Sequence, residues 1–402
     1  MPSPDKPLRI LTITHNYPRF AGDPAGAFVA RVAEGVVARG HQVEVIAPHS
    51  PGTATDEPGA GVRLRRFRYA PERFERVAYT GGLHQGTLRS PLAALAFPGF
   101  LWAFSQAVRG AVRRFDPDLI HAHWWFPSGW LASRREVPYL ITCHGSDVRL
   151  LDRGALVRRA GQGVFQKASR ITAVSNFLAD DLVRLVPGII PHPAVTPMPV
   201  DVARFLEGTA NAKVDPPRIL YAGNLVASKG VDVLLRAAAE LKRRGVNFEL
   251  KILGQGPARN SLETLAHELG VDGQVIWSPF VAQALMPREY GTSTVTVLPT
   301  LGQAEGLGLT LVEALLAGSA VVGTAAGGIP EVVLHEQTGL IARAGDAVDL
   351  ADQLQRLLSD TLLRARLAGT GKEHVLRTYS PDSAIGRFLD IYHAVAHHQS
   401  NR

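Results

Sequence analysis

Apolar positions near the start of the chain follow two different periods in turn. Residues 8–14, LRILTIT, form a short run of apolar and β-branched residues, the pattern of a buried strand. After a Gly/Pro loop at 16–26, apolar residues recur at helical spacing over 28–39. Gly40 stops that helix, because glycine adopts the left-handed conformation a helix terminus asks for. A second β-rich run, QVEVIAP, follows at 42–48. Strand, helix and strand in so short a span make a βαβ unit, which implies a parallel sheet.

The alternation continues. It predicts strands at 62–67, 118–121, 139–143 and 171–174, and helices at 92–113, 129–134 and 176–185. Residues 186–199 contain the run PGIIPHPAVTPMP, whose prolines suit neither a helix nor a central strand. The pattern then begins again. Strands are expected at 218–221, 248–253, 274–277, 294–298 and 320–322, helices at 230–244, 258–269, 284–290 and 309–317, and mainly helix from 347 onward. Two such series with a proline-rich joint predict an α/β protein of two doubly wound, Rossmann-like domains, at 1–200 and 201–380. Open parallel sheets bind ligands outside the carboxyl ends of their strands. Two of them facing each other would form a cleft.

Composition narrows the class. The chain has 402 residues, 46% of them apolar and 20% charged, as in a globular protein. Cys143 is the one cysteine and can close no intramolecular disulfide, which suits a reducing compartment. The first seven residues, MPSPDKP, do not read as a signal sequence. The apolar run at 91–108 carries Ser and Gln and reads as a buried helix, not a membrane span. A cytoplasmic protein is expected. The net charge of +7 is uneven: residues 1–200 hold 24 Lys and Arg against 15 Asp and Glu, residues 201–402 hold 19 against 21. A basic half fits an anionic partner, whether nucleic acid, an anionic membrane face or an acidic acceptor, or is simply a solvated Arg-rich surface.

Four segments carry candidate chemistry. In AEGLGLTLVEAL, 304–315, Glu305 and Glu313 flank Gly306 and Gly308, which open a helix. Free N–H groups at Gly308, Leu309 and Thr310 would suit a phosphate. The glutamates, repelled by phosphate, would accept from sugar or ribose hydroxyls, or are two surface glutamates beside a helix start. In LITCHGSDV, 140–148, His144 and Asp147 emerge at a strand's carboxyl end. His144 could donate to a sugar hydroxyl or a leaving oxygen, and Asp147 could orient it or bind an acceptor. A satisfied polar residue is the plainer alternative for the histidine. In ILYAGNLVASKGVDVLL, 219–235, Lys229 stands at a helix start, where the dipole disfavours it unless a diphosphate is bound; otherwise it is an exposed lysine. In the loop NYPRFAGDPAGAFV, Gly22 and Gly26 could let backbone approach a phosphate. Asp116-Pro-Asp118 lies at the wrong end of its strand for a site. His121-Ala-His123 has no third ligand near it in sequence, so no metal is expected.

Together these segments resemble the group 1 type of glycosyltransferases, glycosyltransferase family 4, over nearly the whole chain. The resemblance rests on the first Gly loop, HAHWWFPSG, CHGSD, GNLVASKG, LGQGP, EGLGLTLVE and GGIPEVV. It implies a GT-B fold, a nucleotide-diphosphate sugar (UDP- or GDP-linked) held mainly by 201–380, and a sugar, glycan or lipid-linked acceptor held mainly by 1–200. A last helix, 381–402, would cross back to the first domain. Retention at the anomeric carbon is implied, with no cofactor, no required metal and no nucleic acid. Residue by residue, Glu305 matches the donor-sugar contact and Gly306, Leu307, Gly308 and Leu309 the sugar and phosphate binders. Glu313 matches the ribose ligand, Lys229 the diphosphate ligand, His144 the residue near the reactive centre, and Gly26 the first-domain glycine by the phosphate. Backbone at Phe280 and Val281 would meet the base. Asn224 stands where an arginine is frequent, which removes a charge from the diphosphate, and Leu307 stands where an aromatic is usual. A sugar-nucleotide epimerase or a non-catalytic sugar-binding protein would share the architecture. Arg109 and Arg113 are four apart on one helix face and suit an anionic membrane as a peripheral contact.

Overall fold

The computed structural model describes residues 6–59, 61–79, 91–279, 281–302 and 305–400. The chain divides into two compact units, Met1–Pro199 with Pro381–Arg402, and Val200–Ser380.

The first unit is built on an eight-stranded sheet of order β3-β4-β2-β1-β5-β6-β7-β8. Its strands are β1 Arg9–Ile13, β2 Gln42–Pro48, β3 Asp56–Gly59, β4 Val62–Phe67, β5 Leu119–His123, β6 Tyr139–Cys143, β7 Arg170–Ala173 and β8 Ala194–Val195. All neighbours are parallel except β3 against β4. β1 is central, and its Ile10, Leu11 and Ile13 are sealed from water on both faces. This explains an apolar run in place of an in-out alternation. The principal helices are α1 Ala27–Ala38, α2 Pro91–Phe115, α3 Ala155–Phe165 and α4 Asn176–Leu185. Ser175 caps α4 by accepting from the Leu178 N–H.

The second unit holds a six-stranded, wholly parallel sheet of order β11-β10-β9-β12-β13-β14. The strands are β9 Arg218–Ala222, β10 Glu249–Leu253, β11 Val275–Ser278, β12 Val295–Leu298, β13 Ala320–Thr324 and β14 Leu340–Ala342. Helices α5 Val231–Arg243, α6 Arg259–Glu268, α7 Leu309–Leu316, α8 Ala347–Ser359 and α9 Thr361–Tyr379 accompany them. In each sheet one strand sits between neighbours that run outward in opposite order: β1 between β2 and β5, and β9 between β10 and β12. Those are the switch points where an open α/β sheet offers its carboxyl-end crevice.

The final helix, α10 Pro381–Ser400, belongs to the first unit. It lies close against α1, where a side chain on Gly35 would stand 2.6 Å from Ile385 Cγ1. Its Phe388 ring meets the His121 ring at 5.2 Å, and its Tyr392 hydroxyl is 2.7 Å from His121 Nδ1. Both aromatic residues are buried. No helix among the described residues is long and apolar enough to cross a membrane.

Three differences from the sequence reading have physical causes. The helix expected at 129–134 is reduced to Trp130–Ala132. The next N–H groups, of Arg134 and Arg135, turn back three residues to Leu131 and Ala132, which tightens and ends it. β3, with the sequence DEPG, has no β-forming side chains. It pairs antiparallel with β4 while Asp56 and Glu57 meet Arg65 and Arg66. β8 lies inside the proline-rich joint, at the sheet edge where a strand tolerates nearby prolines.

Candidate active site

In the second unit, β12 runs out at Leu298 and the chain returns through Glu305 to α7. Gly308 takes a left-handed φ of 93° and caps the helix. The N–H groups of Leu311 and Val312 fold back onto its carbonyl. Those of Leu309 and Thr310 have no hydrogen bond among the described residues, as first-turn donors of a helix do not. The Gly308 N–H, read from sequence as free for phosphate, instead donates to Glu305 Oε1 at 3.3 Å. The other carboxylate oxygen of Glu305 accepts from Lys229 Nζ at 2.5 Å. Glu305 thus holds together the lysine and the helix start that were assigned to a diphosphate.

Bare backbone shapes this corner. Gly327 has φ 54°, and a side chain there would lie 2.0 Å from the Glu305 carbonyl oxygen. One on Gly328 would lie 2.3 Å from the Gly306 oxygen, and the Gly328 N–H donates to the Glu305 carbonyl at 3.1 Å. Lys229 is set by Gly230, φ 65°, where a Cβ would meet the Pro299 oxygen at 2.0 Å. The Leu301 N–H completes that junction by donating to Ser228 at 2.9 Å. Leu307, where an aromatic was expected, is buried beneath the loop.

Glu313 lies one turn into α7. The Tyr290 hydroxyl donates to its Oε2 at 3.0 Å. Burial first, and Glu313 second, push the Tyr290 phenol far above its ordinary range, so it stays a donor. Asn224 is exposed just beyond the carboxyl end of β9, and its carbonyl accepts from Tyr221 at 2.9 Å. Val281 is half-buried a few residues past β11, and Phe280 lies outside the described residues.

In the first unit, the carboxyl ends of β5 and β6 bring histidines together. His121 and His123 project from one face of β5, two residues apart, and Thr142 and His144 from the same side of β6. His123 Nδ1 lies 3.1 Å from His144 Nε2, and the rings stack with centroids 5.3 Å apart. Trp124 and Phe28 lie 4.4 Å and 4.9 Å from the His144 ring, and His15 lies 4.4 Å from Trp124. Gly26, φ 67°, starts α1 where a Cβ would be 2.2 Å from the Asn16 carbonyl oxygen. Burial, followed by the neighbouring histidines, lowers His123 and His144 well below the ordinary histidine range. His121 falls to about 3, through burial and then His144. All three are neutral near pH 7. Among the described residues no group of three His, Cys, Asp or Glu is arranged to hold a metal ion.

Asp147 requires a correction. Expected on the acceptor side, its side chain is fully buried. Its Oδ1 accepts from the backbone N–H groups of His144 and Gly145, both at 3.0 Å, and its Oδ2 from Trp125 N–H at 3.2 Å. Burial raises its pKa, and those N–H donors oppose the rise. It fixes the loop that bears His144. Sequence reading missed His123, Trp124 and Tyr290 as neighbours of the site. Their shared signal was position at, or packing against, the expected site elements.

Residues 25–204 match the family model "Glycosyltransferase Family 4", and residues 205–374 the model "Glycosyl transferases group 1". A D-inositol 3-phosphate glycosyltransferase of Xylanimonas cellulosilytica is 30% identical over 92% of this chain and 92% of that protein. One of Saccharomonospora viridis is 31% identical over 91% and 88%. The chain belongs to glycosyltransferase family 4. Solved structures agree on the fold of this family 4 enzyme. Sucrose-phosphate synthase from Thermosynechococcus elongatus superposes with a TM-score of 0.77 at 22% identity, covering 96% of this chain and 98% of that one. Anabaena HepE in complex with UDP-glucose gives 0.68 at 18%, covering 96% and 99%. The fold is GT-B, with two parallel-sheet α/β domains, and the enzyme is a nucleotide-sugar glycosyltransferase.

Two outcomes follow from this geometry. Gly327→Ala must displace the Glu305 peptide, so nucleotide-sugar binding should weaken about tenfold or more while the far-UV spectrum of the enzyme is kept. Unchanged nucleotide-sugar affinity in a folded variant would show that the peptide contact is dispensable. The histidines predict a pH dependence of the first unit. Their folded values lie below the ordinary value of 6.5, so the unfolded chain binds protons that the native state refuses. Stability is therefore full above pH 6.5 and falls as the pH drops through it, by about 1.4 kcal/mol per histidine per pH unit. Urea unfolding between pH 8 and 5 reads this directly, and a midpoint flat over that range would refute it.

Proposed function

We propose that this enzyme transfers a hexose-type sugar from a UDP- or GDP-sugar to an acceptor hydroxyl, retaining the anomeric configuration and requiring no metal. The observation that carries the proposal is the Lys229–Glu305–Gly308 cluster at the start of α7. Lysine and helix N–H groups gathered at one point form an anion site, and a carboxylate already satisfies it. A donor diphosphate draws Lys229 and the Leu309 and Thr310 N–H groups to its oxygens, and Glu305 turns to a sugar hydroxyl. Glu313, aimed by Tyr290, accepts from the ribose, and backbone near Val281 and Phe280 meets the base. Gly306 and Leu307 supply peptide groups to the sugar. Asn224 carries no charge, so neutralising the diphosphate falls to Lys229 and the helix start.

His144, neutral and backed by Trp124 and Phe28, donates a hydrogen bond to the transferring sugar, and Gly26 lets bare backbone come near phosphate. As the C1–O bond to the diphosphate lengthens, positive charge grows on the sugar ring. The departing oxygens are stabilised by Lys229 and the peptide donors. The acceptor hydroxyl attacks from the same face and passes its proton to a phosphate oxygen.

The acceptor is acidic or lipid-linked in this reading, which places the enzyme in polysaccharide or glycolipid assembly at the cytoplasmic side of a membrane. Leu92, Leu95, Trp102, Arg109 and Arg113 recur along α2 at spacings of three, four or seven, and all five are exposed. An apolar-then-basic stripe of this kind suits an anionic lipid surface. The D-inositol 3-phosphate glycosyltransferases are named for a phosphorylated acceptor, which favours an acidic acceptor over a neutral one.

The test is a panel of UDP-, GDP- and ADP-sugars read by diphosphate release, with and without EDTA. One nucleotide should dominate and activity should survive chelation; loss in EDTA that a divalent ion restores would overturn the metal-free reading. Glu305→Ala should abolish turnover in a folded enzyme, and Glu313→Ala should weaken donor binding by about 1–3 kcal/mol. Full turnover in the first variant would remove Glu305 from the site. Binding to anionic vesicles should weaken in 1 M salt and on charge reversal at Arg109 and Arg113, and no sedimentation at low salt would end the membrane part of the proposal.

A further inference from the structure

The buried polar column across β5, β6 and β7, reached by Tyr392 of α10, has one irregularity. Tyr392 Oη lies 2.7 Å from His121 Nδ1, His121 Nε2 lies 2.7 Å from Thr142 Oγ1, and Thr142 Oγ1 lies 2.7 Å from Thr172 Oγ1. Thr172 in turn donates to the Ile141 carbonyl at 3.4 Å. A carbonyl only accepts, so one direction of donation, from Tyr392 inward, uses both nitrogens of a neutral His121. His123, its ring centroid 4.1 Å from that of His121 and tilted against it, is different. Its Nδ1 meets His144 Nε2, while its Nε2 is buried with no hydrogen-bond partner among the described residues.

That orphan decides which way the proton points. A neutral imidazole has one N–H and one lone pair. If His144 donated from Nε2, His123 would keep its proton on Nε2 as a buried N–H with nothing to accept it. If His123 donates from Nδ1, its Nε2 is a bare lone pair. Orphaned buried N–H groups are the rarer fault in folded proteins, and the hydrogen bond at one ring nitrogen sets the state of the other. His144 then accepts at Nε2 and carries its own proton on Nδ1, which makes no hydrogen bond among the described residues.

We propose that His123 is a positioning residue that locks His144 in its Nδ1–H form, so that His144 acts on substrate only as a hydrogen-bond donor and never as a general base. This rests on the placing of His144 at the reaction centre, but the tautomer itself is independent of that placing. His121, held through Tyr392 and Thr142, supports the face of His123 and fixes its ring plane.

The experiment is long-range proton–nitrogen NMR on enzyme labelled with ¹⁵N-histidine, with His144 assigned by its loss in His144→Phe. The wild type should show His144 protonated at Nδ1. His123→Leu removes the donor, and the His144 signal should move to the Nε2–H form or a mixture. The kcat of that variant should fall about tenfold or more with donor affinity kept. In His123→Asn, a side-chain amide N–H can stand where Nδ1–H stood, so the Nδ1–H form and part of kcat should return. A wild-type His144 protonated at Nε2 overturns the proposal, as does an unchanged tautomer in a folded His123→Leu enzyme. If His123→Leu does not fold, the wild-type spectrum alone decides. Should His144→Ala keep full activity, the placing of His144 fails while the tautomer assignment stands on its spectrum.

Discussion

Two stretches of main chain in the second unit run closer together than any side chain permits. Gly327 and Gly328 press against the carbonyls of Glu305 and Gly306 at distances that leave no room for a methyl group. Much of the geometry at the start of α7 depends on that contact. It sets the peptide that leads into α7, and with it the direction of the helix's first free N–H groups. It also determines where the Glu305 carboxylate stands, and so what Lys229 can reach. The same device recurs at Gly230 against Pro299 and at Gly256 against the Leu225 oxygen. The loops at the carboxyl ends of β9, β10 and β12 are thereby locked to one another by absent side chains. A surface of bare peptide suits a ligand rich in oxygens, because each N–H is a donor that needs no side-chain ordering.

The first unit solves a different problem by a different route. Its interior at β5, β6 and β7 is polar: His121, His123, Thr142 and Thr172 in adjacent strands, all buried. Buried polar groups are stable only when they pair, and here nearly all of them do. Desolvation keeps the imidazoles neutral, which removes the cost of buried charge and gives the cluster fixed donors and acceptors. Asp147 plays the complementary part, a carboxylate turned inward to gather the N–H groups of the turn that carries His144. Asp147, expected to face an acceptor, is buried and binds backbone. His123, set aside as half of a metal pair, lies against His144.

Much of the architecture was legible because it is written in local periods. β2, β4, β6 and α4 fall at the residues their apolar patterns gave, and two parallel sheets follow from the order of strands and helices. What was illegible depends on partners distant in sequence. β3 exists because β4 offers it a ladder and two arginines, not because DEPG favours extension. The site shows the same division. Glycines, glutamates and a lysine at helix starts could be singled out from spacing. The bond from Lys229 to Glu305 spans 76 positions, and that from His123 to His144 spans 21, so both depend on strand order and register.

One further consequence lies in the path of the chain. The sheet of the first unit is complete by residue 195, yet α10 begins at Pro381 and supplies Ile385, Phe388 and Tyr392 to its interior. On the ribosome, therefore, the unit that is begun before residue 199 is finished only after the second unit has been made. Until residues 381–400 emerge, His121 lacks its phenol and α1 presents an uncovered face at Gly35. The second unit, contiguous from Val200 to Ser380, has all its own contacts before then. Synthesis order and completion order run opposite for these two units, and a nascent chain stalled near residue 380 would carry a finished second unit and an unfinished first one.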